Sequence, residues 1–200
     1  MKHMLIAQSG GPSAAINATV AGVVERCMTS GQVGRIYGAR NGIKGVIDGN
    51  YIDLTEELAS PERLELLCHT PAAALGSCRL KLNNADEEQL GQIVQALLER
   101  EIGYFVYIGG NDSMDTVHKL SDYIRKHNIQ GLSVMGAPKT IDNDLPVTDH
   151  CPGFGSAAKY IAATFSEIVR DCEVYDIPAV TIVEVMGRNA GWLTAASALS

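Results

Sequence analysis

Two aspartates, a lysine and a threonine lie within the seven residues from Pro138 to Asp144. The apolar run Leu132 to Met135 comes just before them and predicts a buried strand of a parallel sheet. Ligands of open α/β sheets bind beyond the carboxyl ends of the strands, so chemistry is expected here. In an extended segment, Asp142 and Asp144 would point to the same side. One carboxylate could then hold a metal ion while the other accepts a proton, as phosphoryl transfer to a hydroxyl requires.

Two glycine-rich turns predict anion-binding loops at the same edge of the sheet. The apolar run Met4 to Ala7 leads into Ser9 to Ser13 and then into a helical stripe of apolar residues. The run Tyr104 to Ile108 leads in the same way into Gly109 to Ser113. Glycine lets backbone amides approach an anion closely, and the start of a helix adds unpaired donors and partial positive charge.

A fourth loop, Met186 to Asn189, follows an apolar run from Ala179 to Val185 that predicts another strand. A single diglycine turn is a weak signal, because many ordinary strand-to-helix connections contain one. Four such loops at one edge of one sheet predict a phosphate site. Helices are predicted over Asp86 to Glu101 and from Ser156 onward, the second burying Ile161, Phe165, Ile168 and Val169.

Six motifs in this chain resemble those of the phosphofructokinase family, and they occur in the family's order. PKTIDND and the EVMGR within the last motif are specific to that family, whereas the diglycine loops are not. The resemblance implies an α/β fold that is phosphofructokinase-like, with Rossmann-like αβα layers and mostly parallel sheets. The motifs are SGGPSAAIN from Ser9, LGSCR from Leu75, IGGNDS from Ile108, PKTIDND from Pro138, PGFGSA from Pro152 and VEVMGRNAGWL from Val183.

Two positions within these motifs bear on the phosphoryl donor. ATP-using members carry GGDG and PGTIDND, whereas this chain has Asp112 and Lys139 in place of two of those glycines. Both differences resemble the pyrophosphate-dependent branch. The Asp112 carboxylate would repel a nucleotide's α-phosphate by roughly 4 kcal/mol at about 4 Å and an effective dielectric constant near 20. Lys139 could neutralise charge during transfer, although it could also be a solvated loop lysine.

The resemblance implies a role for each matching residue. Asp142 is expected to accept the proton of the 1-hydroxyl of fructose 6-phosphate, with Lys139 and Asp112 acting on the donor. Arg79 resembles the arginine that reaches the transferring phosphoryl group. Donor binding is expected at Gly10, Gly11, Arg79, Gly110, Asn111 and Ser113. Sugar binding is expected at Thr140, Ile141, Asp142, Met186, Gly187 and Arg188.

Magnesium is the expected cofactor, held by Asp144 and Asn111. The family's usual residue at position 111 is aspartate, so an amide replaces one metal-side carboxylate here. An amide oxygen can still bind a hard cation directly or through water. The other interpretation of Asn111 is a turn residue chosen for its backbone tolerance.

Composition favours a soluble enzyme of the cytoplasm. The 200 residues include 23 acidic and 16 basic side chains, for a net charge of -7. This balance argues against nucleic acid or an acidic membrane surface as the main partner, so fructose 6-phosphate and pyrophosphate must be held by local groups. The five cysteines lack a paired spacing, which favours free thiols. No apolar stretch predicts a signal peptide or a membrane span.

Residues 1–150 are predicted to form the phosphoryl-donor domain, and residues 151–200 the start of an incomplete, truncated sugar-phosphate domain. The family's second domain continues further, so the chain is expected to be an N-terminal part of a longer enzyme, inactive alone. The full enzyme is expected to be a homodimer or homotetramer. Two alternatives stay open, an ATP-dependent 6-phosphofructokinase and a non-catalytic sugar-phosphate-binding homologue. Diglycine kinases acting on NAD or lipids would not explain PKTIDND.

Overall fold

The computed structural model describes residues 1–78, 80, 82 and 87–199. Two compact units divide the chain, Met1–Lys139 and Thr140–Ser200. The predicted boundary lay eleven residues later, after residue 150. No helix among the described residues is long and apolar enough to cross a membrane.

A five-stranded sheet forms the centre of the first unit, in the order β3-β2-β1-β4-β5. All neighbouring strands are parallel except β2 and β3, which are antiparallel. Parallel strands need crossover connections, and helices supply them here. The strands are β1 (His3–Gln8), β2 (Ile36–Ala39), β3 (Tyr51–Asp53), β4 (Ile102–Gly109) and β5 (Ser133–Pro138).

Six helices accompany this sheet in the described part of the first unit. They are α1 (Ala14–Ser30), α2 (Gly42–Asp48), α3 (Leu54–Glu57), α4 (Pro61–His69), α5 (Glu87–Leu98) and α6 (Asn111–Lys126). The predicted helix from Asp86 to Glu101 corresponds to α5, although Asp86 itself lies outside the described residues.

Alternation along β1 and β4 divides the core between the two faces of the sheet. Leu5 and Phe105 face one cluster, which includes the apolar stripe of α5. Ile6 and Ile108 face the other, which includes the stripe of α1. The sheet is therefore covered on both faces, which explains the near-continuous apolar runs of β1 and β4. This arrangement confirms the predicted α/β layered fold.

The apolar run before Pro138 does form a strand, but the prediction that it is buried is wrong. β5 is the last strand of the sheet, paired only with β4 among the described strands. Its Met135 side chain is 68% exposed. Which strand occupies the edge depends on pairing between distant segments, and a short apolar run carries no information about that pairing.

The second unit contains α7 (Phe154–Cys172), α8 (Trp192–Ala196) and a 3-10 turn (Ser197–Leu199). The predicted helix from Ser156 begins two residues earlier, at Phe154. Its predicted apolar face is only partly buried, and Val169 at its end is half exposed. The predicted strand from Ala179 to Val185 is wrong, since these residues have no regular structure. A strand needs a paired neighbour, and this unit has none among its described residues.

Candidate active site

The strands that precede three of the four predicted loops lie side by side in the sheet of the first unit. β1, β4 and β5 are neighbours and parallel, so the loops that follow them leave the same edge. The fourth loop, Met186 to Asn189, belongs to the second unit and does not follow a strand of this sheet. The prediction that all four loops follow strands of one sheet is therefore wrong for the Met186 to Asn189 loop.

The first two loops touch through their backbones. Gly10 has a φ of +82°, a conformation that favours glycine, and a Cβ there would lie 3.3 Å from the Gly110 nitrogen. A Cβ on Gly109 would lie 2.6 Å from the carbonyl oxygen of Ser9, closer than real contacts allow. These glycines are needed because the two loops approach within backbone distance. Their amides are thereby brought together at the site predicted for phosphate.

The second loop leads directly into α6. Gly110 is the N-cap, and Asn111 and Asp112 occupy the first turn with exposed side chains. Ser113 is buried behind them. Because the start of a 16-residue helix carries partial positive charge, an anion and a carboxylate are both stabilised there. Asp112 therefore occupies part of a position that suits a phosphate.

Lys139 is buried against the first glycine loop, with 5% of its surface exposed. Its backbone N–H donates to the Gly109 carbonyl over 2.8 Å, and its Nζ donates to the Gly11 carbonyl. The structure therefore disfavours a solvated loop lysine. It brings a cation and two glycine loops together within the first unit.

A buried tyrosine lies beneath the loops. The Tyr107 hydroxyl lies near Ser9 and Cys78, and burial, only partly offset by the Ser9 hydrogen bond, raises the Tyr107 pKa to about 12. This phenol therefore remains protonated at neutral pH and acts as a neutral hydrogen-bonding group. Arg79, the predicted phosphoryl-contacting arginine, lies outside the described residues.

The second unit begins with the predicted catalytic segment, which is bent. The backbone bends at Ile141 and Asp142, and the Thr140 hydroxyl accepts the Asp142 N–H over 3.1 Å. Asn143 then has a φ of +56°. The prediction that Asp142 and Asp144 point to the same side of an extended segment is therefore wrong, because a left-handed residue separates them. Asparagine adopts this conformation more readily than most side chains.

The buried Asn143 side chain also holds the loop that follows it. Its Nδ2 donates to the Asp149 carbonyl over 3.1 Å, and its Oδ1 accepts the Cys151 N–H over 2.8 Å. Asp144 is exposed and lines a groove of about 560 Å³ together with His150 and Trp192. The sequence predicted no role for Asn143, although an asparagine between two functional aspartates is typical of a turn.

The Met186 to Asn189 loop forms a tight turn in the second unit. The Ala190 N–H donates to the Gly187 carbonyl over 2.7 Å, and Gly187 has a φ of +149°. A Cβ on Gly187 would lie 2.3 Å from the Ala190 carbonyl oxygen, which explains the glycine. The Met186 and Arg188 side chains are exposed. This loop can therefore present one apolar and one cationic side chain.

A family model described as phosphofructokinase matches residues 3–200. The chain belongs to the phosphofructokinase family. Pyrophosphate–fructose 6-phosphate 1-phosphotransferase of Rhodospirillum rubrum is 46% identical over 196 residues, covering 98% of this chain and 46% of that protein. Sulfofructose kinase of Alkalicoccus urumqiensis is 36% identical, covering 98% of this chain and 49% of that protein.

The crystal structure of the pyrophosphate-dependent phosphofructokinase from Nitrosospira multiformis has the same fold. It superposes with a TM-score of 0.88 at 43% identity, covering 99% of this chain and 49% of that one. The chain thus spans about half the length of the curated relatives it matches. These relatives phosphorylate different sugars by name, so family membership alone does not identify the substrate.

Proposed function

We propose that this chain forms part of a pyrophosphate–fructose 6-phosphate 1-phosphotransferase. The enzyme would form fructose 1,6-bisphosphate reversibly, with pyrophosphate as the donor. The observation that carries the proposal is the buried Lys139, whose Nζ contacts the first glycine loop. A cation held at a glycine loop suits a small, highly charged donor.

Asp112 supports pyrophosphate over ATP. Its carboxylate occupies the first turn of α6, directly after the second glycine loop. Two like charges about 4 Å apart cost roughly 4 kcal/mol at an effective dielectric constant near 20, so a third phosphate at this point would be disfavoured. Pyrophosphate lacks that third phosphate. The combination of Asp112 and Lys139 therefore favours the shorter donor, and the ATP-dependent alternative fits it less well.

Asp142 would act as the general base. As the 1-hydroxyl oxygen forms a bond to the terminal phosphorus, its proton passes to the Asp142 carboxylate, and the bond to the leaving phosphate breaks. Lys139 would neutralise charge on that leaving phosphate, assisted by Gly10, Gly11, Gly110, Asn111 and Ser113 at the donor. Arg79 would contact the transferring phosphoryl group. Sugar contacts would come from Thr140, Ile141, Met186, Gly187 and Arg188.

Magnesium would be held by Asn111 and Asp144. No group of three or more His, Cys, Asp or Glu side chains in the described part of the chain could hold a metal ion. Magnesium that binds with phosphates takes one or two protein oxygens and completes its shell with substrate and water. When bound, it would neutralise charge on the phosphates.

We expect residues 1–150 to bind the donor and residues 151–200 to begin the sugar domain. We further expect a cytoplasmic homodimer or homotetramer. A non-catalytic binding homologue is less consistent with the chain, because such a protein has no need of Asp142 beside Asp144.

A coupled assay on the full-length protein tests the proposal. Purified enzyme would be given fructose 6-phosphate with magnesium and either pyrophosphate or ATP, and the bisphosphate formed would be measured. We expect a kcat/KM for pyrophosphate above that for ATP, and no turnover in excess chelator. Sulfofructose in place of fructose 6-phosphate serves as the substrate control. Preference for ATP, or for sulfofructose, would contradict the proposal.

A further inference from the structure

Two fully buried amide side chains, Gln8 and Asn17, join β1 to α1 in the first unit, each with 0% of its surface exposed. Gln8 Nε2 donates to Asn17 Oδ1 over 2.9 Å and to the Ile16 carbonyl over 3.2 Å. Gln8 Oε1 accepts the Leu75 N–H over 2.8 Å. Burying an amide is unfavourable unless it is hydrogen-bonded, so these hydrogen bonds are what allow the two side chains to be buried.

Asn17 extends the same network to the segment after α4. Its Nδ2 donates to the carbonyls of Thr70 and Ala72 over 2.8 and 2.9 Å, and its Oδ1 accepts the Ala74 N–H over 2.9 Å. Both amino hydrogens of Asn17 and of Gln8 are thus used. The partners also determine which way each amide faces, since each oxygen meets a backbone N–H and each nitrogen meets carbonyls.

The segment held in this way, residues 70–78, reaches the first glycine loop. Ser77 Oγ donates to the Gly10 carbonyl over 2.9 Å, and Ser9 Oγ donates to the Cys78 carbonyl over 3.2 Å. Because the peptide unit is planar and trans, a Gly10 carbonyl that points to Ser77 turns the Gly11 N–H to the opposite side. Ser77 therefore orients an amide of the loop proposed to bind the donor.

We propose that Gln8 and Asn17 are positioning residues for pyrophosphate, acting through residues 70–78 and Ser77 on the Gly10–Gly11 peptide. The inference rests on the proposed function, because it names what the first glycine loop binds. Neither amide touches the donor. Their loss would let the segment shift, and displacement of a binding group by about 1 Å from a remote change can cost roughly a hundredfold.

The experiment compares Asn17→Ala, Ser77→Ala and their double variant in the full-length enzyme. We expect Asn17→Ala to raise the KM for pyrophosphate by at least about tenfold, with kcat and the KM for fructose 6-phosphate changed by less than about twofold. Ser77→Ala should act in the same direction, and the double variant should add little, because one residue acts through the other. Thr19→Ala is the control, since the Thr19 hydroxyl bonds to the Ala15 carbonyl of its own helix.

Hydrogen exchange of residues 70–78 supplies a readout that needs no turnover. We expect the amide protons of Ala74 and Leu75 to exchange faster in Asn17→Ala, because this variant removes the oxygen that accepts the Ala74 N–H. Unchanged exchange, an unchanged KM for pyrophosphate, or equal increases in both KM values would overturn the inference. If Asn17→Ala does not fold, Ser77→Ala replaces it in the same comparison of the two KM values, because Ser77 is only partly buried. An unmodified enzyme without pyrophosphate turnover would refute the proposed function instead, and exchange would still test the network.

Discussion

The glycine loops of the first unit and the Thr140 to Asp144 segment of the second are both rich in candidate site residues, but they are held differently. The loops follow paired strands and are joined by backbone contacts, a buried lysine and buried amides. The Thr140 to Asp144 segment has no strand pairing and depends on a left-handed asparagine. The proposed donor loops are thus held by shared backbone geometry, whereas the segment that carries the proposed base is bent by two of its own residues, Thr140 and Asn143.

The largest effect should follow from changing the proposed base in the second unit, Asp142. Asp142→Asn keeps the shape and the backbone but cannot accept the hydroxyl proton, so kcat should fall by about 10²- to 10⁴-fold. Fructose 6-phosphate binding should stay within about tenfold, because the lost interaction belongs to the transition state. Steady-state kinetics and calorimetric binding measure the two quantities. Retained turnover would contradict the role of Asp142 and remove the contrast between the two regions.

A smaller effect is expected from the donor pair in the first unit. Asp112→Gly should admit some ATP, and Lys139→Gly should mainly impair pyrophosphate use. The double variant should shift the ratio of kcat/KM values toward ATP by at least tenfold, which needs only about 1.4 kcal/mol. Both residues are proposed to act on the same phosphates, so their effects should be non-additive.

Lys139→Arg is the matched control for this pair, since it retains the charge but replaces a compact ammonium with a planar fork. It should keep the preference for pyrophosphate while lowering the rate. The donor ratio is measured with both donors at saturating fructose 6-phosphate. Additive single effects, or a double variant with an unchanged ratio, would indicate that the two residues do not share a donor.

The fold of the first unit could be predicted where local pattern and pairing agree. The runs at β1 and β4 are apolar, are followed by glycine and lie in the centre of the sheet, so the burial that their apolar pattern predicts is the burial observed. The same kind of run at β5 lies at the edge, and the run at Ala179 to Val185 has no regular structure, with Ile182 90% exposed. Strand pairing is a long-range property, and an apolar run does not encode it.

Part of the candidate site could likewise be predicted from the sequence, and part could not. Family motifs identified the glycine loops, Lys139 and Asp112, and the structure brings these four elements of the first unit together. They predicted no role for Gln8, Asn17 or Asn143, although two of the motifs contain Asn17 and Asn143, and the bonds of these side chains connect segments distant in sequence or stabilise a bend. A buried amide has no periodic signature. Only its partners reveal its role, and those partners are known only from the fold.

A third prediction tests whether backbone contact holds the loops. Gly109→Ala would place a Cβ against the Ser113 side chain and 2.6 Å from the Ser9 carbonyl oxygen, so we expect a loss of about 1–3 kcal/mol in the free energy of unfolding. Gly22→Ala is the matched control, because a Cβ there meets nothing within 4 Å and glycine weakens a helix. It should be stabilising by about 0.5–1 kcal/mol. Chemical denaturation measures both, and equal effects would rule out the contact.

The smallest effect concerns an ion pair of the first unit away from the loops. Asp53 caps α3 and pairs with Arg35. Burial tends to raise the Asp53 pKa, but hydrogen bonds from Arg35, Thr55 and the start of α3 outweigh it and hold this pKa below its ordinary value of 3.8. A carboxyl with a lowered folded-state pKa contributes stability above its unfolded pKa. That stability is lost as the pH falls through the folded value.

Asp53→Asn should therefore destabilise the protein by no more than about 1 kcal/mol at neutral pH, because the pair is largely at the surface and asparagine still caps a helix. Its unfolding free energy should also fall less steeply than that of the unmodified protein as the pH drops below about 4. Asp53→Ala, which removes the cap as well, should lose about 1 kcal/mol more. Urea denaturation from neutral pH down to about 2 measures these differences. Parallel pH profiles for Asp53→Asn and the unmodified protein would mean that the acid sensitivity of the first unit comes from other carboxylates.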